Sequence, residues 1–142
     1  MKQKITIVND LKRIIFELNK NIFKINSFNV IKNIPSYIRY IQNPSFELQR
    51  LAVTQSATYI EYIQNPFFEI QEIAVTNWGW VIEYIQNPSF EIQRLAVIQC
   101  VTCIEYIQNP FFEIQQLAVT LWARAIHYIE NPSYELQKLA VT

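Results

Sequence analysis

The most constraining feature of this chain is a pentapeptide that returns every 22 residues. Tyr-Ile-Gln-Asn-Pro begins at Tyr40, Tyr62, Tyr84 and Tyr106, and Tyr-Ile-Glu-Asn-Pro begins at Tyr128. Counted from the asparagine, the repeat forms four units and a half unit, residues 43–64, 65–86, 87–108, 109–130 and 131–142. A fixed period of this length is typical of a solenoid, in which each unit buries its apolar face against its neighbours.

Each unit is predicted to begin with a helix, named helix A here. Asn43 is a favoured N-cap residue, Pro44 suits the first helical position, and Glu47 suits the positive end of the helix dipole. Helix A is therefore expected to run from about Pro44 to Thr54. On a helical wheel its polar residues occupy one narrow arc, so this short helix must be covered by neighbours on most of its surface.

A second helix, named helix B, is expected from about Ala57 to Gln64 in the first unit. Its inner side would carry Tyr59, Ile60, Tyr62 and Ile63. Only Gly79 marks a break between helices A and B in the sequence, so one uninterrupted helix of about 20 residues per unit remains the rival interpretation.

The chain before the first unit is predicted to close one end of the solenoid. Residues 37–42 match helix B, residues 21–33 are a degenerate helix A, and Asp10 is expected to cap a separate amphipathic helix with Ile14 and Leu18 inside. Residues 1–42 are thus a basic N-terminal cap and degenerate repeat, and residues 43–142 are four and a half helical repeats. The predicted fold is a single all-α domain, an α-solenoid of stacked two-helix repeats with an N-terminal capping helix.

At the other end, residue 142 follows directly after helix A of the half unit. The side of that helix that includes Leu136, Leu139 and Ala140 is expected to be exposed and apolar. Either the chain forms a homodimer through this end, or the last helix frays or folds back.

Charge divides the chain into two parts. Residues 1–42 carry +6, whereas residues 43–142 carry −6 because they contain ten glutamates and only four basic side chains. The basic part offers candidate phosphate contacts at Lys12, Arg13, Lys20, Lys24, Lys32 and Arg39. RNA or DNA binding through this segment, with a steep salt dependence, is therefore one functional hypothesis; head-to-tail self-assembly driven by the charge dipole is another.

Two positions alternate with a period of two units. The residue after the proline is Ser45, Phe67, Ser89, Phe111 or Ser133, and the residue near the A–B boundary is Ser56, Trp78, Cys100 or Trp122. For the phenylalanines we expect interlocking of large and small neighbours. Trp78 and Trp122 could equally serve packing or partner binding, since tryptophan is enriched at binding hot spots.

A glutamine recurs in the middle of the apolar arc of helix A, at Gln49, Gln71, Gln93, Gln115 and Gln137. A buried amide without partners is costly. These side chains are therefore expected to form a structural ladder in which each glutamine bonds a neighbouring repeat.

Helix B is predicted to present one outward strip with two residues per unit, which we call the helix B strip. It consists of Ser36, Arg39, Thr58, Glu61, Trp80, Glu83, Thr102, Glu105, Arg124 and His127. An exposed Trp80 beside Glu83, flanked by Glu61 and Glu105, is the main hot-spot candidate for a protein partner. Arg124 and His127 extend the same predicted surface.

The sequence offers little for catalysis. It has one His and one Asp, lacks a glycine-rich phosphate loop, and its glutamates recur in a row instead of converging. Cys100 and Cys103 form a C-x-x-C, but His127 is the only histidine, so the cysteines are interpreted as small packing residues and not as a metal or redox pair. We therefore expect no enzymatic activity, no catalytic residue, no metal and no cofactor.

The unit Asn-Pro-x-x-x-[Ile/Leu]-Gln-x-[Ile/Leu]-Ala-Val, followed by Ile-x-Tyr-Ile, resembles short α-hairpin repeats of phage and bacterial proteins and is similar in style to HEAT-type repeats. The resemblance implies a solenoid with a binding role. Richness in Ile, Asn, Lys, Phe and Tyr indicates AT-rich coding. An acidic surface could occupy the basic groove of a nucleic-acid enzyme. The expected function is therefore a protein-binding module, with the more specific hypothesis of a mobile-element inhibitor of a host defence nuclease, similar in kind to anti-CRISPR proteins.

The expected location is the cytoplasm. No apolar run reaches the roughly 18 residues needed to span a bilayer, and Asn9 and Asp10 interrupt the apolar N-terminal stretch, which argues against a signal peptide. Two cysteines do not make a disulfide framework. We expect no membrane partner.

Overall fold

The computed structural model describes the backbone of residues 2–141 and the side chains of residues 14, 17, 18, 20, 21 and 23–141. Over residues 2–141 it contains α-helices and 3-10 helices and no β-strand. The α-helices are α1 (Lys2–Asn33), α2 (Phe46–Gln55), α3 (Phe68–Asn77), α4 (Phe90–Gln99), α5 (Phe112–Leu121) and α6 (Tyr134–Leu139). The 3-10 helices are η1 (Pro35–Tyr40), η2 (Ala57–Tyr62), η3 (Gly79–Tyr84), η4 (Val101–Tyr106) and η5 (Ala123–Tyr128).

The predicted all-α repeat architecture is confirmed. Helix A corresponds to α2 through α6, and helix B corresponds to η2 through η5. Successive helices A contact one another, and successive helices B do the same on the other side. Each unit is therefore one layer of a two-sided stack.

The chain breaks between helices A and B in every complete unit, which excludes the single long helix. The boundary residues Ser56, Trp78, Cys100 and Trp122 have φ between −145° and −156° in an extended conformation. Each of their backbone N–H groups donates to the alanine carbonyl four residues earlier and so completes the last turn of helix A. Helix B differs from the prediction in form: it is a 3-10 helix of six residues. A 3-10 helix is common in segments as short as this one.

The role predicted for the Asn-Pro pair is wrong in detail. Helix A begins at Phe46, and its N-cap is Ser45 instead of Asn43. Asn43 instead has φ of 49°, and the other four equivalent asparagines lie between 50° and 55°. Asparagine tolerates this left-handed conformation better than most residues, so it makes the turn that leads from helix B into the next unit.

The core is one continuous column of aliphatic side chains. In the first unit Ala52 and Val53 from α2 and Ile60 from η2 are fully buried, and the equivalent side chains of the three complete units that follow join the same cluster. Leu48 and Ile63 are also buried, as the wheel predicts, whereas Tyr59 and Tyr62 are only partly covered. Burial of these aliphatic side chains between layers stabilises the stack, because a single unit would leave them exposed to water.

The N-terminal segment departs from its prediction. One helix runs from Lys2 to Asn33, so Asp10 lies inside α1 and begins no separate helix. Only the end of α1 enters the stack, where Ser27 and Ile31 are buried at the positions that correspond to Gln49 and Val53 one period later. Ile14 and Leu18, expected inside, are 51% and 54% exposed, because α1 extends past the edge at which the other helices A begin.

The half unit is also packed more closely than expected. Leu136, predicted to lie on an exposed apolar side, is buried at 1% exposure. Leu139 is 37% exposed and Ala140 is half-buried against the core. Dimerisation through this end stays a prediction.

None of the helices in the described part of the chain combines the length and the apolar character that a membrane span requires.

Candidate functional site on the helix B side

The helix B strip forms a continuous row along the stack. The second residue of the pair in each layer is exposed and ionisable, namely Arg39, Glu61, Glu83, Glu105 and His127. The other predicted members, Ser36, Thr58, Trp80 and Thr102, are half-buried, and Arg124 is exposed. The structure thus places the three glutamates in register on neighbouring layers, as the repeat predicts.

Trp80 does not have the exposure predicted for it. It packs against the core, and its ring meets Trp78 and Tyr84 edge-on at centroid distances of 6.1 and 5.9 Å. Trp78 is the exposed member of the pair, at 57%.

Trp122 occupies the equivalent boundary position two units later. It is 39% exposed, and its ring lies at 6.1 Å from Tyr128. Both boundary tryptophans therefore add aromatic surface next to the helix B strip while contacting other aromatic side chains.

A cleft recurs between successive helices B and was not predicted from the sequence. Its first copy is lined by Arg39, Asn43, Pro44, Tyr62 and Gln64, among others. A second copy is lined by the residues at the same repeat positions, including Glu83, Asn87 and Tyr106. A third, with a volume of about 650 Å³, includes Glu105, Asn109, Tyr128 and Glu130.

The tyrosine of each cleft was expected on the inner side of helix B. Instead Tyr106 and Tyr128 are 42% and 36% exposed, and each forms a wall that faces the charged residue of the preceding layer. The signal that could have revealed them is a charged residue followed by a tyrosine 23 positions later, which recurs as Arg39 with Tyr62 and as Glu83 with Tyr106.

In the first cleft a cation lies over the aromatic ring. The guanidinium carbon of Arg39 stands 4.0 Å from the centroid of the Tyr62 ring, a cation–π contact. At the equivalent place in the later clefts the chain carries Glu83 and Glu105. Partial burial, together with the negative charges of Glu61 and Glu83, raises the pKa of Tyr84 above its usual value.

The recurring glutamines have a structural role. Each of these five side chains donates through Nε2 to the proline carbonyl five residues earlier, over 2.9–3.1 Å. The predicted bond between units is present for Gln49 and Gln93, whose Oε1 atoms accept the backbone N–H of Phe67 and Phe111. Within two of the serine units, the side chains of Ser89 and Ser133 also accept the backbone N–H of Ile92 and Leu136 three residues later.

The two-unit alternation therefore has a physical basis. Ser89 and Ser133 cap their own helices and Ser45 does not, whereas a phenylalanine has no oxygen for this role; the backbone N–H of Phe67 and of Phe111 donates to the glutamine of the preceding unit. Phe67 and Phe111 also meet Phe46 and Phe90 edge-on at 5.7 and 5.6 Å. They remain 48% and 45% exposed, so the predicted interlocking occurs at the surface and not in the core.

Of the two cysteines, only Cys103 is buried as the packing interpretation expects. Cys103 is buried, which raises its pKa to about 12, and Cys100 is exposed. Partial burial acts to raise the pKa of Cys100, but hydrogen bonds with Thr102 and Cys103 outweigh it and lower the pKa. Among the described side chains no three His, Cys, Asp or Glu residues come together in a way that could hold a metal ion.

The candidate nucleic-acid residues do not converge on one site. Lys20, Lys24 and Lys32 are exposed on α1, whereas Arg39 lies on η1 over Tyr62. The side chains of Lys12 and Arg13 lie outside the described residues.

These observations define the chain as an all-helical repeat protein with a 22-residue period. No protein-family model, no curated protein and no solved structure matches it.

Proposed function

We propose that this chain is a non-enzymatic module that binds a basic protein surface through the helix B strip. The observation that carries the proposal is the row of exposed carboxylates at Glu61, Glu83 and Glu105, one on each of three neighbouring layers. Charges of one sign, presented at regular spacing on a packed scaffold, steer an oppositely charged partner and set its register.

Hydrophobic anchors lie next to this row. Trp78 is exposed beside the half-buried Trp80, and Trp122 is exposed beside Tyr128, an arrangement that suits the anchor residues of an interface. The proposed surface therefore combines acidic groups for orientation with aromatic groups for affinity.

Within this function, the particular partner that we propose is a nucleic-acid enzyme, such as an RNA-guided nuclease, whose basic groove the acidic row would occupy. The chain would then act as an inhibitor, similar in kind to anti-CRISPR proteins. The support for this step is the charge of −6 on residues 43–142.

Two-component binding of the purified chain to a purified RNA-guided nuclease tests the proposal. The variant Glu61→Gln, Glu83→Gln, Glu105→Gln should weaken binding by about 2–4 kcal/mol, since rim charges contribute modestly each and more together. A matched control, Glu69→Gln, Glu113→Gln, Glu135→Gln, changes the net charge equally but alters exposed glutamates at the start of helices A. Equal weakening by both variants would show that the helix B strip is not the binding surface.

Nucleic-acid binding is the second candidate, supported by the exposed lysines Lys20, Lys24 and Lys32 on α1. Filter binding of a single-stranded RNA at two salt concentrations separates the two functions, because phosphate contacts give a steep salt dependence. Under this second function the variant Lys20→Gln, Lys24→Gln, Lys32→Gln abolishes RNA retention, whereas the triple glutamate variant leaves it intact.

A further inference from the structure

The clefts between successive helices B are built from equivalent repeat positions, but they differ in volume, at about 350, 90 and 650 Å³ from the first to the third, and in charge. The first has a basic residue from one layer and a tyrosine from the next, Arg39 and Tyr62. The second and third have an acidic residue at the position of Arg39, namely Glu83 with Tyr106 and Glu105 with Tyr128. The chain therefore supplies its own cation to the first cleft and a carboxylate to the other two.

We propose that the Glu83–Tyr106 and Glu105–Tyr128 clefts each bind one arginine side chain from an extended, arginine-rich segment of a partner protein. The inference rests on the proposed function and names the chemistry of the partner at the helix B strip. Arg39 provides the precedent, because its guanidinium lies 4.0 Å from the ring centroid in the equivalent cleft.

The residues of the later clefts match a guanidinium group in two ways. A tyrosine ring offers a face on which the planar cation stacks, and a carboxylate beside it accepts two parallel N–H bonds. The third cleft also has Glu130 where the first has Gln64, which adds a second acidic group. Lysine provides neither the stacking plane nor the paired donors, so the clefts should discriminate between the two cations.

The regular stacking of the units sets the spacing of the arginines. Neighbouring packed helices lie about 8–10 Å apart. A partner segment in the polyproline II conformation has three residues per turn and rises about 3.1 Å per residue, so every third side chain faces the same side at a spacing of about 9 Å, which matches one unit. A segment with arginine at every third position would place successive side chains in the Tyr106 and Tyr128 clefts.

A fluorescently labelled peptide of repeated Arg-Gly-Ser triplets, followed by anisotropy, tests this inference. The same peptide with Lys in place of Arg is the comparison, since its charge and spacing are identical. We expect the arginine peptide to bind at least about fivefold more tightly, because only it can both stack and form bidentate bonds.

Variants of the clefts define the site. Glu83→Gln with Glu105→Gln should lower the affinity for the arginine peptide by about tenfold or more, whereas the control Glu69→Gln with Glu113→Gln should change it by less than about threefold. Tyr106→Leu should weaken binding several-fold and Tyr106→Phe should preserve it, because the aromatic face and not the hydroxyl contacts the cation. Circular dichroism of each variant establishes that the helices are intact.

Arg39→Glu offers a gain of function. It removes the chain's own cation from the Tyr62 ring and gives the first cleft the charge of the later ones. We compare the two variants with an arginine peptide long enough to reach three clefts. Arg39→Glu should raise the affinity for this peptide more than the control Arg50→Glu does, which makes the same change of charge at an exposed arginine on α2. An equal rise in both variants would assign the effect to net charge alone.

The outcomes separate the two proposals. If the arginine and lysine peptides bind equally and Tyr106→Leu has no effect, the clefts do not recognise guanidinium groups, but an acidic binding strip survives. If neither peptide binds, or if Glu83→Gln with Glu105→Gln behaves like its control, the helix B strip is not a surface for basic partners and both proposals are overturned.

Discussion

The asparagine of each Asn-Pro pair makes the turn between units through its backbone. Its φ lies near 50° in all five copies, in a region that costs most residues about 1–2 kcal/mol. The sequence located the turn correctly but assigned the residue a capping role, since asparagine is favoured both at N-caps and in left-handed turns. Sequence preference alone does not separate these two uses.

Substitution of Asn109 distinguishes them. Asn109→Gly should leave the urea unfolding midpoint nearly unchanged, whereas Asn109→Thr should lower stability by about 1–3 kcal/mol, because a β-branched residue is disfavoured at positive φ. Threonine would be accepted at a true N-cap. A stable Asn109→Thr protein would therefore contradict the turn conformation.

Gln93 links two units through a single side chain. It is 3% exposed, donates to the Pro88 carbonyl over 3.1 Å and accepts from the N–H of Phe111 over 3.1 Å. Gln93→Leu should cost about 1–3 kcal/mol, because both backbone groups lose their partner where water has little access. Gln137→Leu serves as the control, because Gln137 is exposed and its side chain bonds only the Pro132 carbonyl. This substitution should lower the stability by less than about 1 kcal/mol. Thermal unfolding monitored by circular dichroism compares the two, and equal losses would show that the bond to Phe111 contributes nothing.

At the level of the elements, the period and the apolar stripe predicted helix A to within two residues at each end. Helix B was predicted in the right place but in the wrong form, because six residues show too little periodicity to separate a 3-10 helix from an α-helix. The unbroken α1 was missed for a different reason. Asp10 is a strong capping residue in isolation, yet the chain continues in helical conformation on both sides of it.

Gly79 lies where two units approach each other closely. A Cβ added there would stand 3.0 Å from the carbonyl oxygen of Ala96 and 3.2 Å from the sulfur of Cys103. Gly79→Ala should therefore destabilise the protein by about 1–3 kcal/mol, because η3 must move away from α4. Chemical unfolding measures this, and adding Cys103→Ala should restore only part of the loss, since the contact with the carbonyl remains. A neutral Gly79→Ala would show that the units are loosely stacked.

For the whole molecule, the sequence predicted the architecture better than the site. The repeat established which residues recur in register, so the row of glutamates on helix B followed directly from it. The clefts did not, because each combines residues of two layers, such as Glu83 and Tyr106, whose contact depends on how one helix B lies against the next. The exposure of Trp80 was mispredicted for a different reason: Trp78 and Tyr84 of its own unit contact its ring, and the spacing of residues does not reveal this contact.

The alternation of serine and phenylalanine units implies that the true structural repeat is a pair of units. The bond between units joins Gln49 to Phe67 and Gln93 to Phe111, each time from a serine unit to a phenylalanine unit. Removal of residues 65–108 would join Gln64 to Asn109 and bring Phe111 to the place of Phe67, so that every type of interface is preserved.

Small-angle X-ray scattering and thermal unfolding of this deletion variant test most directly whether the chain is a stack of interchangeable layers. The account predicts a folded, cooperatively melting protein whose longest dimension is shorter by about 20 Å, the thickness of two layers. A deletion of residues 65–97, which ends inside α4, should instead fail to fold because it breaks the register. An unfolded product from the first deletion, or equal stability of the two, would contradict the layered repeat.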